Sequence, residues 1–465
     1  MIEITPILDH KGNKPLYIQL SNYIKQEIME GRIQPNEKLP SKRKLSSYLD
    51  VSLNTIQAAY DQLCAEGYVE SNPRKGFFVA TISEEVFTNP LYSPKHEKQD
   101  KLEKKINIDF NSGKVDLRYF PYTVWRKLAI QSLYEDQNEL FYNGHPQGDL
   151  NLRAAIAKYV FESRGVKCSP EQIVIGAGTQ ILTGLLCLIL GKQHTYAVEN
   201  PGFHRTKAVL MDQGVKMKAI PLDENGICVN QLAMSDASVV YVTPSHQFPN
   251  GMVMPITRRM ELLNWANERE GYIIEDDYDG EYRYKGAPIP SLQGLDINGR
   301  VIYLGTFSKS LIPSIRISFL ILPLTLLNRY QDKFMLYKQT VSRLHQDTLF
   351  RFMNEGHWQT HLNKMRTLYR RKHATLMKAL SMYMGDNVIV IGEKSGLHIL
   401  IKVHNGMSEE ELINMAMEVG VKVYPTSVYY DDPKVNQEPK ILLGFGGLTE
   451  SEIVAGIQLL KKVWW

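Results

Sequence analysis

The chain has 465 residues, more than one ordinary core accommodates, so two to four domains are expected. Its 43% apolar and 22% charged residues are those of a soluble globular protein, and no apolar run is long enough to span a bilayer. The net charge of +4 singles out no acidic or basic partner, and residues 1–80 carry ten Lys/Arg against nine Asp/Glu, so a nucleic-acid signal must come from where the cations sit. Met1-Ile2-Glu3-Ile4-Thr5-Pro6 lacks a basic start followed by an apolar stretch, so no secretory signal is expected. Cys64, Cys168, Cys187 and Cys228 are scattered without a CxxC. That speaks against a disulfide framework or structural zinc; no metal and no membrane partner are expected, and the location expected is the cytoplasm.

In chain order, Leu16, Leu20, Tyr23, Ile24 and Ile28 recur at helical spacing and predict a helix over 15–31, ended by Gly31. Pro35 and Pro40 frame a turn. Ser41 caps a second helix that buries Leu45 and Leu49, and Asp50-Val51 makes a tight connection. Ser52 caps a third helix with Ile56, Ala59, Tyr60 and Leu63 on one face, closed by Gly67. Tyr68–Glu70 and Gly76–Val79 read as two strands around the turn Ser71–Lys75. The pattern fades over 81–105, read as an interdomain linker.

Helix, helix, tight turn, helix and two-strand wing is the order of a winged helix-turn-helix over residues 1–80. Small polar residues open the third helix, so Ser52, Asn54, Thr55 and Gln57 are candidates for base edges or phosphates. Ser41 and Arg43 at the second helix, within Lys42-Arg43-Lys44, and Arg74 and Lys75 at the wing tip are candidates for the DNA backbone. Three packed helices with a solvated basic face would show the same periodicity. Leu39-Pro40-Ser41-Lys42-Arg43-Lys44-Leu45, then Val51-Ser52-Leu53-Asn54-Thr55-Ile56, then Glu66-Gly67-Tyr68-Val69 resemble the winged helix of the GntR family. Many members carry an arginine after the recognition-helix serine; here Leu53 stands there, which removes one contact.

From residue 106, apolar strands alternate with amphipathic helices: Gln172–Ile175, Thr195–Val198, Lys216–Ile220, Val239–Val242, Tyr272–Glu275, Val301–Leu304 and Ile317–Leu322. This predicts an α/β domain over 106–465 with a large, mostly parallel sheet, and a small C-terminal α+β layer over roughly 387–465.

Gly305-Thr306-Phe307-Ser308-Lys309-Ser310-Leu311 follows the strand 301–304. Lys309 is a candidate Schiff-base lysine, and so the catalytic candidate. Thr306, Ser308 and Arg316 can bind a phosphate. Asp276, at the end of another strand, can keep a pyridine nitrogen protonated, and Tyr278 can donate to the ring's phenolic oxygen. Gly178-Thr179 opens a helix after a strand and suits a phosphate. Singly these are weak: a lone lysine is usually solvated, and glycine-rich turns are common. In order, Gly178-Thr179, Asn200-Pro201-Gly202-Phe203, Asp276-Asp277-Tyr278, Ser308-Lys309 and Arg316 resemble the fold-type I aminotransferases, which bind pyridoxal 5'-phosphate (PLP). The resemblance implies that Phe203 stacks on the pyridine ring, with His246 or Gln247 beside it.

The fusion resembles the MocR/GabR subfamily of GntR-type regulators. It implies a head-to-tail homodimer, promoter DNA as partner, and PLP or a PLP–amine adduct as the signal. In ordinary aminotransferases a carboxylate-binding arginine follows a Gly-Phe; in Leu443-Gly444-Phe445-Gly446-Gly447-Leu448 that place is Gly447. A glycine does not replace a bidentate guanidinium, so net transamination is not expected. Arg205 is the remaining candidate anchor for an acidic effector, or a partner of a structural carboxylate. A working aminotransferase carrying a DNA-binding module is the alternative reading.

Overall fold

A computed structural model of the chain describes residues 4–6, 8–10, 14–81, 106–135, 139–284, 289–432 and 438–465. The linker expected over 81–105 lies, but for Thr81, outside the described residues. The chain divides into two compact units, Met1–Lys101 and Leu102–Trp465.

The first unit holds α1 (Leu16–Met29), α2 (Lys42–Leu49), α3 (Leu53–Ala65), β1 (Val69–Asn72) and β2 (Gly76–Val79). Leu20, Ile24, Leu45, Ile56, Ala59, Tyr60 and Leu63 meet in one core, closed by Val69 and Val79. Both predicted caps are made: Ser41 Oγ accepts the Lys44 N–H at 3.3 Å and Ser52 Oγ the Thr55 N–H at 3.1 Å. The wing differs from expectation. Its first strand runs to Asn72, which pairs with Gly76, so the turn is only Pro73–Lys75. Arg74 at φ 62° and Gly76 at φ 114° supply the left-handed residues that so short a hairpin loop requires.

The second unit opens with β3 (Ile108–Asp109), α4 (Tyr122–Glu135), α5 (Leu150–Arg164), β4 (Ile173–Gly176) and α6 (Thr179–Leu190). Next come β5 (Thr195–Asn200), α7 (His204–Asp212), β6 (Lys216–Asp223), β7 (Gly226–Ile227), α8 (Val229–Met234) and β8 (Val239–Val242). Then follow α9 (Ile256–Glu268), β9 (Tyr272–Asp277), β10 (Val301–Thr306), β11 (Ser318–Ile321), α10 (Leu324–Phe334), α11 (Arg343–Asn354) and α12 (His357–Tyr383). Last are β12 (Val388–Ile391), β13 (His398–Val403), α13 (Glu409–Glu418), β14 (Val421–Lys422), β15 (Tyr424–Pro425), β16 (Lys440–Gly444) and α14 (Glu450–Trp464).

An eight-stranded sheet has the order β4-β11-β10-β9-β8-β5-β6-β7. The run β10-β9-β8-β5-β6 is parallel. Strands β5, β8, β9 and β10 of the run are buried on both faces, which is why they read as continuous apolar runs, whereas β6 keeps exposed positions. On one face Leu182 and Leu186 of α6 and Tyr330 of α10 pack on Val198, Ile274 and Leu304. On the other, Ile156 and Val160 of α5 and Phe352 of α11 pack on Ile175, Tyr303 and Phe319. The segment expected over 317–322 departs from the parallel pattern. β11 is antiparallel to both β10 and β4. Eleven residues without an α-helix link β10 to β11, too few for a parallel crossover.

The small layer is a sheet of order β12-β13-β16-β15 backed by α12, α13 and α14. It begins before residue 387, because β3 pairs in parallel with β14 and Phe110 lies in its core. Among the described residues no helix is long and apolar enough to cross a membrane.

Candidate functional site

The carboxyl ends of the parallel strands converge in the second unit, where open α/β sheets bind ligands. β9 delivers Asp276 and then Tyr278 and Asp279; the turn after β10 delivers Ser308 and Lys309; the segment after β8 delivers His246; the turn before α7 delivers Phe203. His398 and Tyr429 come from the small layer and Ser112 from the segment after β3.

The Lys309 amine donates to the Ser112 carbonyl at 2.5 Å. Burial disfavours its cation; Asp279 opposes and Arg205 adds to the effect, and the amine titrates at about 8, well below an ordinary lysine. Asp276 is 5% exposed, and its Oδ2 accepts the Tyr241 hydroxyl at 2.5 Å. Its Oδ1 is buried with no hydrogen-bond partner among the described residues. Burial raises its carboxyl to about 7 despite the Tyr241 bond. The neighbouring Asp277 is engaged elsewhere, with Oδ2 accepting from Arg164 at 2.6 Å and from Tyr303 at 2.7 Å. Strand alternation sends Asp276 and Asp277 to opposite faces, so the two carboxylates meet different partners.

Gly178 caps α6 at φ 98°, and a Cβ there would lie 2.0 Å from a nitrogen of Arg316. The Arg316 guanidinium therefore lies against the glycine turn, donating to the Ala177 carbonyl at 3.3 Å. With Thr179 as the first residue of α6, the helix's unpaired amides and a guanidinium converge, a ready anion site. The Thr306 hydroxyl accepts from Ser318 at 2.8 Å and from the Ser308 N–H at 3.2 Å, and so braces the turn that carries Lys309.

Phe203 is stacked on Phe248 at 4.1 Å with an interplanar angle of 4°, and meets the Tyr278 ring edge-on at 5.0 Å. One of its faces is thus already covered by a side chain that sequence reasoning had not picked. His246 sits against Tyr278 and Asp279, and with His398 forms a buried cluster whose ligand-type atoms lie within 4.8 Å of one another. Gln247 is spent on the Pro201 carbonyl and on Glu199, away from the role considered for it. Arg205 is exposed on α7, and its charge is felt at both Lys309 and Tyr429. A Cβ on Gly447 would come 2.8 Å from Lys114 Cβ, so no arginine side chain fits there without moving that segment. Tyr241, Asp279, Phe248 and His398 were missed because their partners lie on segments remote in the sequence. A tyrosine inside the apolar run Val239–Val242 was the one available signal, since a buried phenol needs a partner.

In the first unit, Asn54, Arg43, Arg74 and Lys75 are exposed. Ser52 bonds the Thr55 hydroxyl at 2.9 Å, so both residues serve the cap at the start of α3. Ser41 likewise serves the cap of α2. Gln57 is not free at the helix surface: Lys42 donates to it, and it donates to Asp61 at 2.5 Å. Leu53 is 48% exposed at the helix start, an apolar side chain facing outward where helix amides would meet a phosphate.

Residues 16–79 match bacterial regulatory proteins of the gntR family, and residues 104–435 match aminotransferase class I and II. The chain is 45% identical to the uncharacterized HTH-type transcriptional regulator YdeL of Bacillus subtilis, over 100% of both chains. It is 30% identical to the probable rhizopine catabolism regulatory protein MocR of Rhizobium meliloti, over 98% of this chain and 95% of that one. It is 28% identical to the HTH-type pyridoxine biosynthesis transcriptional regulator PdxR of Corynebacterium glutamicum, over 94% and 93%. Among solved structures, Pyrococcus horikoshii kynurenine aminotransferase in complex with PMP has the same fold, with a TM-score of 0.69 at 24% identity over 82% of this chain and 96% of that one. The chain therefore belongs to the HTH-type transcriptional regulators of the GntR family that carry a class I and II aminotransferase domain, the MocR/GabR subfamily.

Proposed function

We propose that the second unit of this regulator binds PLP through Lys309 and senses PLP, or a PLP–amine adduct, so as to change how the first unit binds promoter DNA. The observation that carries this reading is the unpartnered, buried Asp276 Oδ1 at the end of β9, together with a lysine amine of weakened basicity in the turn after the neighbouring strand β10. A buried carboxylate oxygen without a partner is costly. A protonated pyridine nitrogen is the kind of group that would satisfy it. The fit extends further. Arg316 and the Gly178–Thr179 turn suit a phosphate, and the Tyr278 hydroxyl suits a phenolic oxygen. When bound, PLP supplies an aldehyde that condenses with an amine and loses water. Lys309 supplies that amine, Asp276 keeps the ring nitrogen charged, and Arg205 is placed to meet an acidic effector.

Gly447 favours sensing over turnover, since the segment packs against Lys114 with no anchor for an amino acid's carboxylate. On this reading DNA meets Asn54 and the caps of α2 and α3, with Arg43, Arg74 and Lys75 on the phosphates. We read residues 1–80 and 106–465 as the two functional domains, joined by 81–105, in a head-to-tail homodimer in the cytoplasm. The test is the visible absorbance of the purified protein with PLP, before and after Lys309→Ala. A band that Lys309→Ala abolishes is expected; an identical band in both would overturn the assignment.

A further inference from the structure

Tyr278, His246 and Asp279 meet at one atom. His246 Nδ1 lies 2.9 Å from Asp279 Oδ2, 3.1 Å from Asp279 Oδ1 and 2.9 Å from the Tyr278 hydroxyl. All three side chains are buried, at 2%, 2% and 7% exposure. A carboxylate can only accept, so the 2.9 Å contact requires the proton on Nδ1. That proton is then shared between Asp279 and the Tyr278 oxygen. The phenol cannot direct its own proton at a nitrogen already carrying one, so its O–H points away from the imidazole. The far ring nitrogen is Nε2. It is buried without a partner among the described residues, and His246 lines a small cavity together with Ser395, whose hydroxyl is also unpartnered among them.

The backbone holds the imidazole in place. A Cβ on Gly396 would come 1.9 Å from His246 Cε1, and one on Gly251 would come 3.2 Å from Nε2. Two glycines thus form a slot one ring wide.

We propose that Asp279 and His246 are positioning residues for Tyr278: the carboxylate fixes the imidazole as its Nδ1–H tautomer, and the imidazole turns the phenol into an oriented donor toward the PLP site. This rests on PLP binding at Lys309. Donation to the cofactor's phenolic oxygen stabilises negative charge there and loosens that oxygen's hold on the proton of the neighbouring nitrogen. The pair therefore sets the pH at which the bound cofactor titrates. The other titratable or charged groups around it, among the described residues, are Asp276, Asp277 and Glu199 beside Tyr278, Tyr284 beside Asp279, His398 beside His246 with Lys309 acting on His398, and Arg164 and Arg283 at the cavity.

The test follows the visible band of the PLP-loaded protein against pH. His246→Ala is expected to move the midpoint upward by roughly 0.5 pH unit or more, about a threefold change in the proton equilibrium. His246→Leu, closer in volume, takes its place should the alanine variant not fold. His246→Asn can put an amide N–H where Nδ1–H stood, and is expected to restore the midpoint. In a Tyr278→Phe background His246→Ala is expected to add no shift, an outcome that a merely structural role would not give. An unmoved midpoint in the single variant, or a full additional shift in the Tyr278→Phe background, overturns the proposal. Absence of any band in the unsubstituted protein with PLP would instead remove the PLP reading, and this inference with it.

Discussion

At the scale of single residues, chemistry is set by burial. Lys309 titrates at about 8 because its cation is poorly solvated. Only the neutral amine attacks an aldehyde. The rate of PLP capture is therefore expected to rise about tenfold per pH unit below that value and to level off above it, read by stopped-flow absorbance. A rate flat from pH 6 to 9 would contradict this. Asp276→Asn removes a charge-assisted bond worth roughly 1.5–3 kcal/mol, so PLP retention is expected to weaken about ten- to a hundredfold, measured by equilibrium dialysis. Lys309 and Asp276 were legible in the sequence because strand-end motifs carry them. Tyr241 and Asp279 were not, because register and side-chain direction, not local sequence, bring them to Asp276 and His246. Gln57 shows the converse: its place on the recognition helix was legible, but its engagement by Lys42 and Asp61 was not.

At the scale of elements, caps and buried pairs hold the frame. Ser52 accepts the Thr55 N–H at 3.1 Å, and Ser52→Ala is expected to cost α3 about 1 kcal/mol, read by amide hydrogen exchange over residues 53–65. Lys372 on α12 donates to Asp116 at 2.6 Å and to the Gly446 carbonyl at 2.8 Å, all in a buried setting. It thereby ties the glycine segment that replaces the missing arginine to the long helix. Lys372→Ala removes the donor to the Gly446 carbonyl and leaves Asp116 to Arg118, which donates to it at 2.7 and 2.8 Å, so a loss of about 1–3 kcal/mol is expected from denaturation followed by tryptophan fluorescence. The three helices and the wing were legible from helical spacing and cap residues. The reversal of β11 was not, since an apolar strand buried on both faces reads the same in either direction; the short connection before it was the overlooked clue.

At the scale of the whole molecule, two units of different chemistry share one chain. DNA affinity is expected to fall with salt, with Arg43→Ala and Arg74→Ala each lowering the slope by about 1 if each makes the phosphate contact proposed for it. The fusion itself was legible from the two motif sets in order, whereas for the effector the sequence offered Arg205 as the candidate charge and no further signal. The coupling between the units is tested most directly by titrating the protein onto duplex DNA from upstream of its own gene, at fixed salt, with and without PLP, for the unsubstituted chain and for Lys309→Ala. The expected result is specific binding whose affinity or retardation pattern changes with PLP in the unsubstituted chain and does not change in Lys309→Ala. Binding no tighter than to unrelated duplex, or a PLP response that survives Lys309→Ala, would contradict it.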